Sequence, residues 1–209
     1  MITIENVSVK YKKTVLKDVN IKASNGECIG LLGLNGSGKS TLLSAIAGIK
    51  KPASGKITTE GKIGFVTQEN ALIDELTAYD NLLMWTSMKK DDILKAINGP
   101  KLSILKVNDF INVKVRNMSG GMKKRLALAS VIITGPDILL MDEPLAALDI
   151  PAKSDILKFI DSFKADCGIV FIASHEAEVF RHCDTVYHLK DGKCIEADKN
   201  RQVVDIIND

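Results

Sequence analysis

The sequence predicts an α/β fold. A mainly parallel sheet is covered by helices on both faces, an antiparallel β portion stands at the N-terminus, and an α-helical subdomain is inserted midway. Three observations carry this. Apolar positions alternate with polar ones over residues 2–21, short apolar runs alternate with helical periodicities after residue 134, and the stretch of about 70–133 holds helical patterns. The 209 residues are 45% hydrophobic, enough for one sizeable core and not comfortably for two. Residues 1–209 are therefore expected to form one domain, with 1–69 and 134–209 making the core and β portion and about 70–133 the helical subdomain.

The elements follow in order. Ile2, Ile4, Val7 and Val9, then Val15, Leu16, Val19 and Ile21, mark two strands separated by polar turns. Cys28–Leu32 is a short apolar run ending before a glycine, which suits a buried strand. Over 39–49 the period becomes helical, with Leu42, Leu43, Ile46 and Ile49 on one side and Gly48 and Pro52 at its end. Short strands are expected at 56–58 and 62–66. Helices are expected at 77–88 and 91–98, interrupted by Gly99-Pro100, with a further turn over 101–105. Residues 119–133 read as a strong helix, with Met122, Leu126, Ala129 and Ile133 along one stripe. Then come a strand at 138–141, a helix at 152–164, a strand at 169–173, a short helix near 176–182 and a strand at 185–189. Asp191-Gly192 signals a hairpin into 193–196.

Composition excludes several classes. Lys+Arg is 28 against Asp+Glu 26, so no global charge argues for nucleic acid, and no nucleic-acid partner is expected. Cys28, Cys167, Cys183 and Cys194 form no CxxC pair and are expected to be reduced, packed thiols of a cytosolic chain. No basic region followed by an apolar run marks export. The longest uncharged stretches, 28–38 and 126–136, fall well short of the roughly 18 residues of a membrane span. The chain is expected to be soluble and to reach a membrane only through a partner.

Gly33-Leu34-Asn35-Gly36-Ser37-Gly38-Lys39-Ser40-Thr41 fits G-x-x-x-x-G-K-[ST] between an expected strand and an expected helix, which is the context that motif requires. Glycines let successive backbone N–H groups curl around anionic oxygens, and the helix N-terminus adds its partial positive charge. Lys39 is placed to reach the β- and γ-phosphates of a nucleoside triphosphate, and the Ser40 hydroxyl to ligate Mg²⁺. This loop marks the core as that of a P-loop NTPase. The apolar run 138–141 leads to Asp142-Glu143-Pro144. Neighbouring strand residues point to opposite sides, so two tasks are expected: Asp142 for hydrated Mg²⁺, Glu143 to polarise an attacking water. Gln68, just past the strand at 62–66, offers an amide to Mg²⁺ and the water. His175, just past 169–173, offers an imidazole to the γ-phosphate. Tyr11 is the aromatic ahead of the phosphate loop and is a candidate to stack on adenine.

Met118-Ser119-Gly120-Gly121-Met122 opens the strongest helix, and its small residues expose a second set of N–H groups suited to an anion. With that segment in place, the chain resembles the nucleotide-binding domain of an ABC transporter from Tyr11 to about Gly192. Tyr11 matches the A-loop aromatic, 33–41 the Walker A loop, Gln68 the Q-loop and Ser119-Gly120-Gly121 the signature. The run 138–143 matches Walker B, Ala147-Leu148-Asp149 the D-loop and His175 the switch histidine. The resemblance implies an ATPase that uses ATP and Mg²⁺. It also implies a head-to-tail homodimer in which Ser119, Gly120, Gly121 and Asp149 of one copy complete the ATP site of the other, and separate multi-span membrane subunits as partners. Met118 and Met122 stand where the family usually has Leu and Gln, which removes an amide contact to the nucleotide sugar. Ala146 replaces the usual D-loop serine.

The groove that transmits motion in the family corresponds to about 68–90, with Leu72, Ile73, Leu76, Tyr79, Leu82 and Trp85 as candidate lining. The expected setting is cytoplasmic, peripheral at the inner face of the membrane, and the short tail after Gly192 tilts the expectation toward an exporter. Two alternatives stand beside this: a soluble ATPase of the same family without a membrane partner, and a small P-loop kinase. The signature segment and the Asp142-Glu143 pair weigh against the kinase. A GTPase lacks support because no Asn-Lys-x-Asp sequence occurs.

Overall fold

The computed structural model describes residues 1–69, 71–86, 88–198 and 203–208. Residue 70, at the expected start of the helical subdomain, residue 87, inside the helix expected over 77–88, and residues 199–202 and 209 lie outside this set.

Two sheets form. Strands β1 (Ile2–Lys10), β2 (Thr14–Ala23) and β4 (Ser54–Thr59) make an antiparallel sheet in the order β2-β1-β4. The second sheet has the order β5-β6-β7-β3-β8-β9, built from β3 (Cys28–Leu32), β5 (Ile63–Val66), β6 (Ile138–Asp142), β7 (Ile169–Ser174), β8 (Thr185–Lys190) and β9 (Lys193–Ala197). Its strands run parallel except β9, which returns antiparallel along β8 through the Asp191-Gly192 turn. The α/β expectation and the N-terminal antiparallel portion are both present.

The apolar alternation breaks at Asn6 in β1 and at Asp18 in β2, and the structure gives the reason. Ile2 and Ile4 are buried, as are Val7 and Val9, although the two pairs differ in parity. Asn6, at φ +49°, inserts an extra residue between them, and Asp18, at φ +47°, does the same between Leu16 and Val19. Left-handed backbone at Asn and Asp is the least strained non-glycine choice, and the bulge re-aims the strand so that the apolar set stays inward. The Asn6 N–H donates to Asn20 Oδ1 at 2.9 Å, and the Asp18 N–H to Ser8 Oγ at 3.0 Å.

Helix α1 (Lys39–Ile46) lies between the two sheets, against β6 and β7 on one side and β1, β2 and β4 on the other. It is shorter than the sequence predicts. Gly48, at φ +74°, closes it, and Ile49 is 72% exposed rather than on the buried stripe. Between β5 and β6 stand α2 (Ala78–Trp85), α3 (Lys90–Asn98) and α4 (Gly120–Ile132), with three short 3₁₀ turns from Ser103 to Asn117, two of them unforeseen. A capping box starts α2: the Thr77 hydroxyl accepts from the Asp80 N–H, and the Asp80 carboxylate takes the Thr77 N–H. After β6 come α5 (Ile150–Ala165), α6 (Ala177–Phe180) and α7 (Val203–Asn208), the last also unforeseen.

The alternation of the central strands divides the core in two. Leu139, Met141, Val170 and Ile172 face α2–α6, whereas Leu140, Ile169, Phe171 and Ala173 face α1 and the antiparallel sheet. Phe171 is fully buried at the centre of the second cluster. Phe171→Ala is expected to lower stability by about 3–5 kcal/mol, lost contacts and cavity together, seen as an earlier urea midpoint at unchanged slope. The four cysteines are free; Cys28 and Cys183 are packed with their sulfurs 3.6 Å apart, but Cys167 is exposed.

Candidate ATP site

Parallel strands β3, β5, β6 and β7 all end on one edge of the sheet, and the loops leaving them converge there, as ligand sites in open α/β sheets do. The loop after β3 carries residues 33–41. Gly36 and Gly38 have φ of +82° and +109°, backbone that side chains rarely adopt. Gly33 has a different reason to be glycine: a Cβ there would lie 2.6 Å from both the Leu189 carbonyl oxygen and Ser37 Oγ. Lys39 is buried, and its ammonium donates to the carbonyls of Gly33 (2.6 Å) and Leu34 (3.2 Å), so it ties the loop to itself. Burial pushes the Lys39 ammonium below the ordinary lysine range, and Glu143 and Asp142 partly restore it.

A cavity of about 470 Å³ opens over this loop. Asn35, Gly36, Gly38, Lys39, Ser40 and Thr41 line one side, and Gln68, Asp142, Glu143 and His175 line the other. The structure thus gathers the acidic pair, Gln68 and His175 over most of the phosphate loop, although Gly33 does not line this cavity. Ser37 sits in the same loop but lines a neighbouring cavity, with its Oγ buried beside Gly33.

The acidic pair departs from expectation. Asp142 and Glu143 do not face opposite ways; both line the one cavity. Glu143 lies beyond the end of β6 at φ +47°, and this left-handed turn defeats the strand alternation. A non-glycine residue held in that region stores strain, which clusters at functional sites. Glu143 is 7% exposed, and its carboxylate is held from several sides. Oε1 pairs with His175 Nδ1 at 3.0 Å and lies 3.9 Å from Lys39 Nζ, while Oε2 accepts from Ser174 Oγ at 3.3 Å. Burial raises the Asp142 carboxyl above the usual range. A hydrogen bond from Ser40 draws it down and the Glu143 charge pushes it up again.

Ser174 is a site residue that the sequence reading missed. Buried at the end of β7, it bridges Glu143 and the Glu176 N–H, which it accepts at 3.0 Å. Its position immediately before His175 was the available signal. Lys153 of α5 forms a close ion pair with Glu176, tying the His175 loop to the helix that Asp149 caps.

Three groups of expected residues stand apart from the cavity. Tyr11 is at the exposed tip of the β1–β2 hairpin, with the Lys50 ammonium 4.0 Å from its ring centroid. Ser119, Gly120, Gly121 and Asp149 gather at the starts of α4 and α5. Ser119 caps α4 by accepting the Met122 N–H at 3.2 Å, and Asp149 caps α5 by accepting the Ala152 N–H at 2.9 Å. A Cβ on Gly121 would come within 2.7 Å of Ala152 Cβ, so this glycine lets the two helices approach. Of the six residues offered for a transmitting groove, Leu82 is fully buried in the core, and Leu72 and Tyr79 pack against it. Trp85 alone lines a separate apolar cavity of about 350 Å³, with Phe65, Val66, Ala127 and Val131 of the β5–α4 edge.

Comparison with known proteins shows the family and the fold. A family model described as ABC transporter matches residues 16–146. The chain is 34% identical over 221 residues to a probable sulfate/thiosulfate import ATP-binding protein of Chlorella vulgaris, covering 98% of this chain and 93% of that one. It is 33% identical over 211 residues to a linearmycin resistance ATP-binding protein of Bacillus subtilis (93% and 68%). Among solved structures, the dimeric ATP-binding cassette MJ0796 in a post-hydrolysis state with ADP and Pi superposes with a TM-score of 0.83 at 30% identity, covering 95% of this chain and 99% of that one.

Proposed function

The chain belongs to the ABC transporter family of ATP-binding domains, whose members are ATPases, and we propose that it works as a homodimer closed around two ATP to drive separate membrane subunits. One observation carries the dimer. The chain has two helix starts suited to an anion, and they do not meet within one copy. The phosphate loop and its acidic pair form one cavity, whereas Ser119 and Gly120 lie exposed elsewhere, backed by Asp149. A head-to-tail partner brings the second start to the first, so each site is assembled from residues 33–41 of one copy and 119–121 of the other.

Within each site the residues divide the work. The loop N–H groups and Lys39 hold the β- and γ-phosphates, Glu143 takes a proton from the attacking water, and His175 orients that carboxylate and meets the γ-phosphate. The donor set suits Mg²⁺: Asp142, the Ser40 hydroxyl and the Gln68 amide are hard oxygen donors on one cavity, and a single carboxylate with phosphates is the usual magnesium arrangement. When bound, Mg²⁺ would neutralise charge on the terminal phosphates. Tyr11 would meet adenine once Lys50 leaves its face.

Among the described residues no helix is long and apolar enough to cross a membrane. The membrane contact is therefore assigned to a partner, seated in the apolar cavity beside Trp85, with the chain at the cytoplasmic face. The segment of about 70–133 would act as the arm that presents Ser119, Gly120 and Gly121. The relatives include both an import and a resistance protein, so the comparisons do not support the tilt toward an exporter.

Ser119→Arg tests the two-copy site. A long cation at the exposed start of α4 would block closure and leave the phosphate loop of each copy intact. The expected result is unchanged ATP affinity with turnover lowered at least about tenfold and no ATP-dependent dimer on a sizing column. A variant that still dimerised with ATP would refute the shared site.

A further inference from the structure

Two lysines of this chain are buried among the described residues, Lys39 and Lys124. The phosphate loop accounts for Lys39. Lys124 is the middle residue of Lys123-Lys124-Arg125. The structure sends the three side chains in different directions. Lys123 pairs with Asp74 at the surface, Arg125 with Asp155, and Lys124 turns inward to 5% exposure. A buried ammonium is unfavourable unless specific partners hold it.

Its partners identify its work. Lys124 Nζ donates to the Thr67 carbonyl at 3.2 Å, and the Asp142 and Glu143 charges oppose the penalty of its burial. Thr67 follows the last residue of β5, and its hydroxyl donates to the Glu69 carbonyl, closing a turn across Gln68. The turn bearing Gln68 is thus held through Thr67, by one hydrogen bond inside the loop and by a second from α4. Lys124 sits one helical turn from Gly120, so its hydrogen bond to Thr67 links the part of α4 expected to meet the partner copy to the loop bearing Gln68.

We propose that Lys124 is a positioning residue for ATP hydrolysis, a strut that makes the start of α4 and the Gln68 loop move as one unit. Closure of the partner onto Ser119 and Gly120 would then set Gln68 against the water and γ-phosphate. Lys124 itself does not line the cavity and acts through Gln68. The inference rests on the two-copy ATPase reading above.

A double-mutant cycle on the full chain tests it, with wild type, Lys124→Met, Gln68→Ala and the double variant. Methionine fills similar volume and removes the donor. At saturating ATP, Lys124→Met is expected to lower kcat about tenfold, the worth of one charged hydrogen bond. The affinity of single chains for a fluorescent ATP analogue should stay within about twofold. In the Gln68→Ala background the same change should lower kcat by less than about twofold, because the residue it positions is gone. Full turnover by Lys124→Met overturns the proposal, and so does an undiminished tenfold penalty on top of Gln68→Ala. If Lys124→Met is recovered unfolded, Lys124→Gln serves in the same cycle, its amide too short to reach Thr67, with the same expected and opposing outcomes. A wild-type chain that failed to turn over ATP would strike the underlying reading as well, whereas an active wild type with additive penalties refutes the strut alone.

Discussion

Glu143→Gln is expected to cut ATP turnover by about 10²–10³-fold, the usual worth of a positioned general base, while ATP binding persists. The substitution keeps the shape that the left-handed turn after β6 requires, and an amide can still meet Ser174 and His175. What it removes is the negative charge and the proton acceptor. Removing that charge also relieves repulsion between the carboxylates and the incoming triphosphate, with Asp142 beside it and Lys39 at 3.9 Å. ATP should therefore bind at least as tightly, and the closed dimer should accumulate because the step that reopens it is blocked. The measurements are single-turnover hydrolysis of labelled ATP and sizing chromatography with and without ATP. A variant that hydrolysed at the wild-type rate would remove Glu143 as the base and leave the proton to another group.

The phosphate loop was legible in the sequence because its logic is local. Glycines, a lysine and a hydroxyl at fixed spacing between a strand and a helix need no distant partner to be recognised. The same holds for Asp142 and His175, each just past an apolar run. Glu143 was identified by its neighbour yet misplaced, because strand alternation was extended one residue beyond the strand. The φ of +47° that turns it into the cavity is set by tertiary packing, which period-two reasoning does not contain. Ile49 failed for a related reason: the helical period continued on paper after Gly48 had ended the helix. Lys124 was hidden more deeply, since nothing in Lys123-Lys124-Arg125 tells which of three cations lies beneath the loop after β5. The bulges at Asn6 and Asp18 show the opposite case, an irregular parity of apolar residues that was itself a readable mark of an inserted residue.

Lys39→Ala is expected to lower ATP affinity about a hundredfold or more, in keeping with the loss of a buried charged partner. Lys39 does two things in the structure. Its ammonium spans the Gly33 and Leu34 carbonyls, holding the loop in the curve that exposes its N–H groups. It is also, with Lys124, one of the two buried lysines among the described residues, set near the buried carboxylates of Asp142 and Glu143. Without it the cavity lining loses its lysine opposite Asp142 and Glu143, and a triphosphate would have to enter against those two carboxylates with a loosened cradle. Both effects weaken binding, so the loss should exceed that from removing any single neutral contact in the loop. Calorimetric titration with ATP measures it, and the rise in melting temperature that ATP gives the wild type should vanish. The fold itself should survive, since no core contact depends on the ammonium, and near-wild-type stability without ATP would show this. A Lys39→Ala chain that bound ATP with unchanged affinity would overturn the phosphate-loop assignment, and the two-copy site with it.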